Sequence, residues 1–335
     1  MIKNKHSLKS FNTFGIDVIA EKFCSVSDIE SLIYLLNTKP IKIHILGGGS
    51  NILLTKDLEG LVVHINLKGI EVCEKSKNFS KVKVGAGENW HDFVMWAINN
   101  NLGGLENLSL IPGNVGAAPI QNIGAYGVEQ KNVFHSCEIL NLKTLTIETL
   151  TKNECKFSYR NSIFKSKLKD KFIILNVTYC LTNSNHNLNN SYADIENELI
   201  KNKINSPTIR NISDAVISIR KSKLPDPKKI GNCGSFFKNP VVDKKKFEHL
   251  VKEFPNIPNF TTDDNRIKIS AAWLIEKAGF RGKKYNNHGV HKNQALVLVN
   301  YGGASGKDIL KLSKLIQKTV SVIFGVNLER EVNIF

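Results

Sequence analysis

Two glycine-rich stretches have the composition of ligand-binding loops, and the shorter one is ILGGGSN at residues 45–51. There a predicted strand runs into three glycines, a serine and an asparagine. Glycines let successive backbone N–H groups converge on an anion, and no side chain blocks its approach. A tight hairpin turn is the alternative for this stretch alone. A Rossmann fingerprint is excluded, because Ile52 stands at the third glycine position.

The longer stretch, residues 102–127, is glycine-studded, almost uncharged and too irregular for one helix. It offers backbone donors over a long path, with Gln121, Asn122 and Tyr126 as its polar side chains. A long flat cofactor with a pyrophosphate needs such a lining. A flavin dinucleotide fits better than a nucleoside triphosphate, because no Lys-Ser/Thr pair is offered to Mg²⁺. The stretch GGASGKD (302–308) only resembles a phosphate loop, and Ser305 as a helix cap explains it better.

A third stretch, GNCGSFFKNP at residues 231–240, sets a small hydroxyl beside two phenylalanines. Its glycines and Pro240 predict a turn or loop, whereas Phe236 and Phe237 predict burial. Most Gly-Ser hydroxyls hydrogen-bond to a turn backbone. Catalysis by Ser235 is the alternative, and the stretch alone does not separate the two.

The composition is that of an ordinary globular protein, with 41% hydrophobic and 23% charged residues in 335. The net charge of +16 raises the possibility of a basic nucleic-acid-binding protein. However, only six of the 46 basic residues are arginines, the lysines are spread along the chain, and no nucleic-acid-binding signature accompanies them. We therefore expect a solvated basic surface that favours an anionic small substrate. We expect neither a secretory signal nor a membrane span, and hence a cytoplasmic protein.

The six cysteines form no C-x-x-C pair, which indicates free thiols in a reducing compartment and no zinc site. His288 and His291 lack a third ligand at useful spacing, so we expect no metal.

Helices and strands interleave without a regular βαβ count, which predicts an α+β fold. A capping box at Ser27 and Glu30 opens the first helix, and Gly103 suits the end of a second that starts near Trp90. A long helix is expected from Ser305 to Gly325. Further strands are predicted at 41–46, 60–67, 81–87, within FIILNVTYCL (172–181), within QALVLVN (294–300), and in the final NLEREVNIF (327–335). The Asn-rich stretch TNSNHNLNNSYADI (182–195) is predicted to be an exposed, mobile insertion, and KLPDPKK (223–229) is predicted to be a domain boundary.

Six motifs in order make the chain similar to the UDP-N-acetylenolpyruvoylglucosamine reductase family. They are GGGSN, IPGNVGAAPIQNIGAYG, YRNS, KLPDPKKIGNCGSFFKNP, HGVHKNQALVLVN and LEREV, and the resemblance runs from NTFG (12–15) to the carboxyl end. It implies a pair of FAD-binding domains of the vanillyl-alcohol-oxidase type, with a third α+β domain that closes over the substrate. It also implies the subtype with a tyrosine-bearing insertion.

The implied domains are residues 1–70, joined by the C-terminal strand 327–335; 71–222, with the insertion near 183–200; and the substrate-binding domain 223–326. The implied reaction reduces UDP-N-acetylglucosamine enolpyruvate to UDP-N-acetylmuramate for peptidoglycan, with FAD as cofactor and NADPH as reductant. We expect a monomer whose partners are these small molecules, with no nucleic acid and no membrane.

The resemblance implies three catalytic residues. Ser235 would donate a proton, Arg160 would stand beside the carboxylate, and Glu331 would orient the arginine or polarise the intermediate. Glu329 lies two residues from Glu331, and in a strand both would lie on one face, so only the motif favours Glu331.

The resemblance also implies two sets of binding residues. For the cofactor they are Gly47, Gly48, Gly49, Ser50, Asn51, Pro112, Gly113, Gly116, Gln121, Asn122, Gly124, Ala125, Tyr126 and Gly127. For the substrate they are Tyr192, Lys223, Asn239 and Gln294. The competing enzyme hypothesis keeps the FAD fold and makes the chain an oxidase of small alcohols. The ordered YRNS, GSFFKNP and LEREV motifs argue against it.

Overall fold

The computed structural model describes residues 1–40, 42–262 and 264–335. The strands, in chain order, are β1 Lys3–Ser7, β2 Ile19–Val26, β3 Ile43–Leu46, β4 Ile52–Leu53, β5 Leu58–Ile65, β6 Ile70–Lys75, β7 Phe79–Gly85, β8 Gly124–Ala125, β9 Val128–Glu129, β10 Phe134–Asn141, β11 Ile147–Thr151, β12 Phe172–Thr182, β13 Gly231–Ser235, β14 Val241–Val242, β15 Asn259–Thr261, β16 Ile267–Ile269, β17 Lys284–Tyr285, β18 His288–Val290, β19 Val297–Asn300 and β20 Asn333–Ile334. The α-helices are α1 Ile29–Asn37, α2 Trp90–Asn99, α3 Ala193–Lys201, α4 Ile209–Lys223, α5 Lys244–Glu253, α6 Ala271–Lys277 and α7 Gly306–Phe324.

The chain divides into two compact units, each made of separated segments. The first unit contains residues 1–6, 20–48 and 59–222, and the second contains residues 7–19, 49–58 and 223–335. Both units mix helices with sheets, so the α+β prediction is confirmed. The finer division into three domains stays a prediction.

Two larger sheets form the first unit. One has the strand order β1-β2-β5-β3, in which β3 and β5 run parallel. The other is antiparallel, with the order β11-β10-β12-β7-β6. Its central strand β12 is buried along most of its length because α2 supplies large apolar side chains, of which Trp90 packs edge-on against Tyr179 at 5.8 Å.

The ends of the first two helices differ from the sequence prediction. The side chain of Asp28, not Ser27, caps α1 by accepting a hydrogen bond from the Ser31 backbone N–H. The end of α2 is at Asn99, and Asn101, not Gly103, adopts the left-handed conformation that follows it, at φ 55°. In both places, neighbouring residues compete for one role, and spacing does not choose between them. The predicted strand 41–46 begins at Ile41, outside the described residues, and β3 begins at Ile43.

The Asn-rich stretch leads into α3 and is held by hydrogen bonds rather than fully exposed. The Asn189 carbonyl oxygen accepts a hydrogen bond from the Asn107 side chain at 2.8 Å, and Leu188 packs against the core. Beyond it, α3 and α4 share a small apolar cluster of their own, made of Ile195, Leu199, Ile212, Ala215, Val216 and Ile219. This cluster packs α4 against α3.

The second unit carries sheets β13-β19-β18-β17, β14-β16-β15 and β20-β4. Helix α7 agrees with the prediction, with a capping box at Ser305 and Asp308 and a left-handed Gly325 at its end. The segment 231–235, predicted as a turn or loop, is instead strand β13, and Phe236 and Phe237 after it are fully buried as predicted. Only the last part of the predicted C-terminal strand is regular, since β20 pairs in parallel with β4. No helix in the described ranges is long and apolar enough to cross a membrane.

Candidate active site

The glycines at the end of β3 differ in what requires them. A Cβ on Gly48 would lie 2.7 Å from the Asn114 side-chain oxygen and 3.0 Å from Gly113 Cα, so packing within the first unit requires the glycine. A Cβ on Gly47 would meet no atom of the described residues within 4 Å, and its φ is not in the left-handed region. Neither packing nor backbone conformation therefore requires Gly47. A glycine that leaves open space at the end of a strand suits the close approach of a ligand.

The rest of the same loop belongs to the second unit. Gly49 adopts φ 61°, and a Cβ there would lie 2.0 Å from the Phe11 carbonyl oxygen. Its own carbonyl oxygen accepts a hydrogen bond from the Thr13 N–H at 3.1 Å. Ser50 and Asn51 follow, both half-buried. The Asn51 side chain donates to the Glu331 carbonyl oxygen at 3.3 Å, so this loop is tied to the C-terminal segment.

The longer glycine stretch is a chain of turns within the first unit. Gly113 and Gly127 adopt φ 115° and 78°, and a Cβ on Gly116 would lie 2.6 Å from that of Ala86. Gly124 and Ala125 form the short strand β8. Pro112 is exposed and Gln121 half-buried, so this path keeps some surface open to a ligand.

One predicted cofactor residue uses its side chain internally. Asn122 is fully buried and donates to the Glu129 carboxylate at 2.9 Å, while its oxygen accepts from Gln130 at 3.3 Å. This amide therefore shapes the loop, and only its backbone is left to face a cofactor. The structure corrects the picture of Asn122 as a polar side chain in the lining.

Four non-glycine residues around this stretch adopt the left-handed conformation. Leu110, Asn122, Tyr126 and Arg160 have φ values of 58°, 47°, 49° and 50°. Such conformations cost about 1 to 3 kcal/mol each and concentrate at functional sites. Ten further described residues share this conformation elsewhere, so the grouping fits a functional loop without assigning a function by itself.

Arg160 is anchored to this loop. Its Nη2 donates to the Gly124 carbonyl oxygen at 2.6 Å, and its guanidinium lies 5.5 Å from the Tyr159 ring centre. The side chain is half-buried. The planar fork of a guanidinium fixed in this way suits a planar carboxylate.

The predicted Tyr192 lies beside the same loop. It immediately precedes α3, is 41% exposed, and meets Tyr126 edge-on with ring centres 5.3 Å apart. Tyr126 itself is half-buried, and burial raises the pKa of its hydroxyl. The first unit therefore brings Arg160, Tyr126 and Tyr192 to one stretch of chain.

Ser235 lies at the end of β13, where the register with β19 shifts between Asn232 and Ser235. The Phe236 N–H donates to the Leu296 carbonyl oxygen at 2.8 Å, which fixes the backbone just after the serine. The side chain is exposed, and in the described part of the chain its hydroxyl has no hydrogen-bond partner. The common structural role of a Gly-Ser hydroxyl is therefore absent here, and the hydroxyl is available to a ligand.

Glu331 lies beside this segment through a local antiparallel pairing. Phe237 bridges to Arg330, and the Glu331 N–H donates to the Phe236 carbonyl oxygen at 2.9 Å. Glu331 is half-buried and close enough to the buried thiol of Cys233 to help burial raise the pKa of that thiol. The second unit thus holds the backbones of Ser235 and Glu331 next to each other.

The surroundings of Glu329 and Glu331 differ, although their spacing in the sequence could not distinguish them. Glu329 is exposed and pairs with Lys238 at 2.5 Å, which explains its carboxylate as a surface ion pair. Such a pair contributes about 0 to 1 kcal/mol. Glu331 is less exposed and lies on the serine side of the pairing, so Glu331 is the better candidate.

The remaining substrate residues lie in the second unit. Lys223 is exposed at the end of α4. The Asn239 side-chain oxygen accepts a hydrogen bond from the Ala271 N–H at 3.0 Å, and that of Gln294 from the Leu296 N–H at 3.4 Å. Each amide keeps its NH₂ group as a donor for a ligand.

Arg220 is a further candidate for a ligand-binding residue, which the sequence patterns did not reveal. It extends from α4 towards Tyr126 and Leu110. The available signal was its residue type, because Arg220 is one of six arginines in a chain with 40 lysines and stands three residues before Lys223.

The family models and relatives agree with this geometry. Residues 22–149 match the model described as FAD binding domain, and residues 226–335 match the C-terminal domain of UDP-N-acetylenolpyruvoylglucosamine reductase. The open position at Gly47 and the glycine stretch of the first unit fit a dinucleotide, and both are consistent with the first match.

Proteins named UDP-N-acetylenolpyruvoylglucosamine reductase match over nearly their whole length. The one from Flavobacterium johnsoniae is 54% identical and covers 99% of both chains. That from Amoebophilus asiaticus is 48% identical over 98% of this chain and 97% of its own, and that from Pseudomonas aeruginosa 43% identical over the same shares. The crystal structure of the enzyme from Thermus caldophilus shares the fold, with a TM-score of 0.69 at 22% identity over 100% of this chain and 98% of that one. The chain therefore belongs to the UDP-N-acetylenolpyruvoylglucosamine reductase family, the FAD-containing oxidoreductases of peptidoglycan precursor synthesis.

Proposed function

We propose that this chain reduces UDP-N-acetylglucosamine enolpyruvate to UDP-N-acetylmuramate, with NADPH as the reductant and Ser235 as the proton donor. The observation that carries the proposal is the pairing in the second unit that holds Ser235 beside Glu331, with a serine hydroxyl that has no partner among the described residues. It gives a physical basis for the motif-derived roles of both residues. The relatives named above supply the reaction class.

The glycine loops would hold FAD, which would supply hydride chemistry with NADPH as the source of the hydride. The hydride adds to the outer carbon of the enolpyruvyl ether, and negative charge builds on the carbon next to the carboxylate. That carbon must then take a proton to complete the reduction. The net change is two electrons and two protons added across one carbon–carbon double bond.

Ser235 is the proposed source of the second proton. A neutral hydroxyl is a weak acid in water, but it is a sufficient donor to an enolate-like carbon when it is held in place. The hydrogen bonds at Phe236 hold it by fixing the backbone to the segments on both sides. Glu331 would polarise the intermediate or orient the arginine.

Arg160 is the proposed partner of the substrate carboxylate. Charge stabilisation is most effective when the cation is fixed before the reaction, because no reorganisation is then needed. The bond from Arg160 to the Gly124 carbonyl oxygen provides that fixation. Two donors of a guanidinium match the two oxygens of a carboxylate.

The substrate's nucleotide and sugar are assigned to the four remaining residues. The Lys223 ammonium would face the diphosphate, while the amides of Asn239 and Gln294 would donate to polar groups of the sugar nucleotide. Tyr192 would act as a lid, since it is exposed and touches the rest of the protein edge-on through Tyr126. We further propose a cytoplasmic monomer; the absence of nucleic-acid and membrane partners stays a prediction.

The test separates the two half-reactions. The purified protein should show flavin absorbance, NADPH should bleach it without oxygen, and the UDP-enolpyruvyl sugar should restore it. A small-alcohol oxidase would instead be bleached by its alcohol and reoxidised by oxygen. A flavin that the enolpyruvyl sugar fails to reoxidise would contradict the proposed function.

A further inference from the structure

Arg220 is a cation that no acidic residue in the described part of the chain balances. It lies near the end of α4, is half-buried, and its Nε donates to the Leu110 carbonyl oxygen at 3.3 Å. Tyr126 lies near it and packs against the apolar cluster of α3 and α4. In the described ranges 1–40, 42–262 and 264–335, no carboxylate pairs with it. Buried charges are normally paired, because removing them from water unpaired is costly.

A second guanidinium, that of Arg160, lies in the same region. Arg160 is close enough to Arg220 for its charge, after burial as the main cause, to lower the pKa of the Arg220 guanidinium. The two positive charges repel each other, and the repulsion is stronger where water is excluded. An anion bound beside Arg220 would lower the cost of burying its charge.

The two residues beside Arg220, Leu110 and Tyr126, lie at the two ends of one segment. Leu110 precedes Pro112, where the predicted cofactor residues of the longer glycine stretch begin, and Tyr126 lies almost at its end. Arg160 is held by Gly124 of the same segment. The apolar cluster between α3 and α4, against which Tyr126 also packs, keeps Arg220 in this place. Both arginines therefore lie beside the predicted flavin-binding stretch.

We propose that Arg220 stabilises the negative charge that reduction places on the ring of bound FAD. This inference rests on the proposed function. If Arg160 holds the carboxylate beside the reacting carbon, a charge near Arg160 would act on the reacting part of the bound cofactor. Hydride adds two electrons and one proton to a neutral ring, which leaves one negative charge on it. Protein charges near the flavin ring nitrogens tune its potential.

The test measures the potential of the bound flavin in Arg220→Gln. Losing the charge should reduce the preference for reduced over oxidised flavin about tenfold to hundredfold, which lowers the two-electron midpoint potential by about 30 to 60 mV. The dissociation constant for oxidised FAD should change less than about threefold, because that ring is neutral. The matched control is Arg210→Gln at the other end of α4, where the arginine donates to Asn99, and its potential should equal that of the unaltered protein.

A second measurement needs no variant. If the reduced ring stays anionic, reduction takes up one proton for two electrons, and the potential of the unaltered holoprotein falls about 30 mV per pH unit between pH 6 and 8. A slope of about 60 mV in that range would overturn the inference. An unchanged potential in Arg220→Gln would also overturn the inference. Weaker FAD binding with an unchanged potential would indicate a pyrophosphate contact, and a higher KM for the UDP sugar would indicate a substrate contact. If the flavin fails to be reoxidised by the UDP-enolpyruvyl sugar, the proposed function itself fails, which is a different result.

Discussion

Replacing Ser235 with alanine should separate proton transfer from hydride delivery. The substitution removes one exposed hydroxyl that has no hydrogen-bond partner in the described part of the chain, and it leaves the flanking backbone bonds of Phe236 in place. Exposed substitutions of this kind change the free energy of unfolding by less than about 0.5 kcal/mol. Loss of a positioned proton donor slows a reaction about 10² to 10⁴-fold, or about 2.7 to 5.4 kcal/mol in activation free energy.

The assay is stopped-flow spectroscopy of the flavin without oxygen. Reduction of Ser235→Ala by NADPH should keep its rate within about twofold, because that step needs no proton from the protein. Reoxidation by the UDP-enolpyruvyl sugar should slow by the full factor. Urea unfolding of the same variant checks that stability is unchanged. Equal slowing of both half-reactions, or a loss of more than about 1.5 kcal/mol in stability, would refute the reasoning and make Ser235 a structural residue.

Three further predictions test the rest of the site. Glu331→Gln should lower kcat at least tenfold, while the kcat of Glu329→Gln, which only breaks a surface ion pair, should stay within twofold of the unaltered protein. Similar losses of kcat in both variants would remove the distinction between the two glutamates. Gly47→Ala should keep the melting temperature, because the new methyl group enters open space, and it should weaken FAD binding, measured by flavin fluorescence, because that space would be taken from the ligand. Gly49→Ala should lower the melting temperature, because its Cβ would clash at 2.0 Å and its φ is 61°. The opposite pattern would show that Gly47 serves the fold alone. Burial lowers the pKa of His91, whose Nδ1 accepts a hydrogen bond from the Leu110 backbone N–H. The neutral imidazole therefore contributes its full stabilisation above the unfolded-state pKa of about 6.5, and this stabilisation is lost as the pH falls below that value. Chemical unfolding between pH 7 and 5 should therefore show a shallower loss of stability in His91→Gln than in the unaltered protein, and parallel curves would contradict this role.

Local patterns determined much of the architecture. The period of the apolar residues and the capping residue Ser305 were sufficient for α7, because a long helix with its own caps depends little on distant partners. The glycines after β3 and the uncharged glycine stretch indicated the cofactor-binding region by residue type and order alone. These signals are local because they concern the conformations that a few adjacent residues can adopt.

Features that depend on a distant partner were not predictable in this way. GNCGS has the composition of a turn, yet it forms β13 because β19, more than sixty residues later in the chain, offers its backbone hydrogen bonds. Glu329 and Glu331 are equivalent by spacing, and Lys238 distinguishes them.

Asn122 has the residue type of a lining side chain, but Glu129 and Gln130 take its amide in the folded chain. The importance of Arg220 arises only because no carboxylate of the described residues lies against it. The sequence specifies which chemical groups are present and what each can do locally. The tertiary structure decides which of them lose water and which remain without a partner, because desolvation and pairing are properties of surroundings assembled from distant parts of the chain.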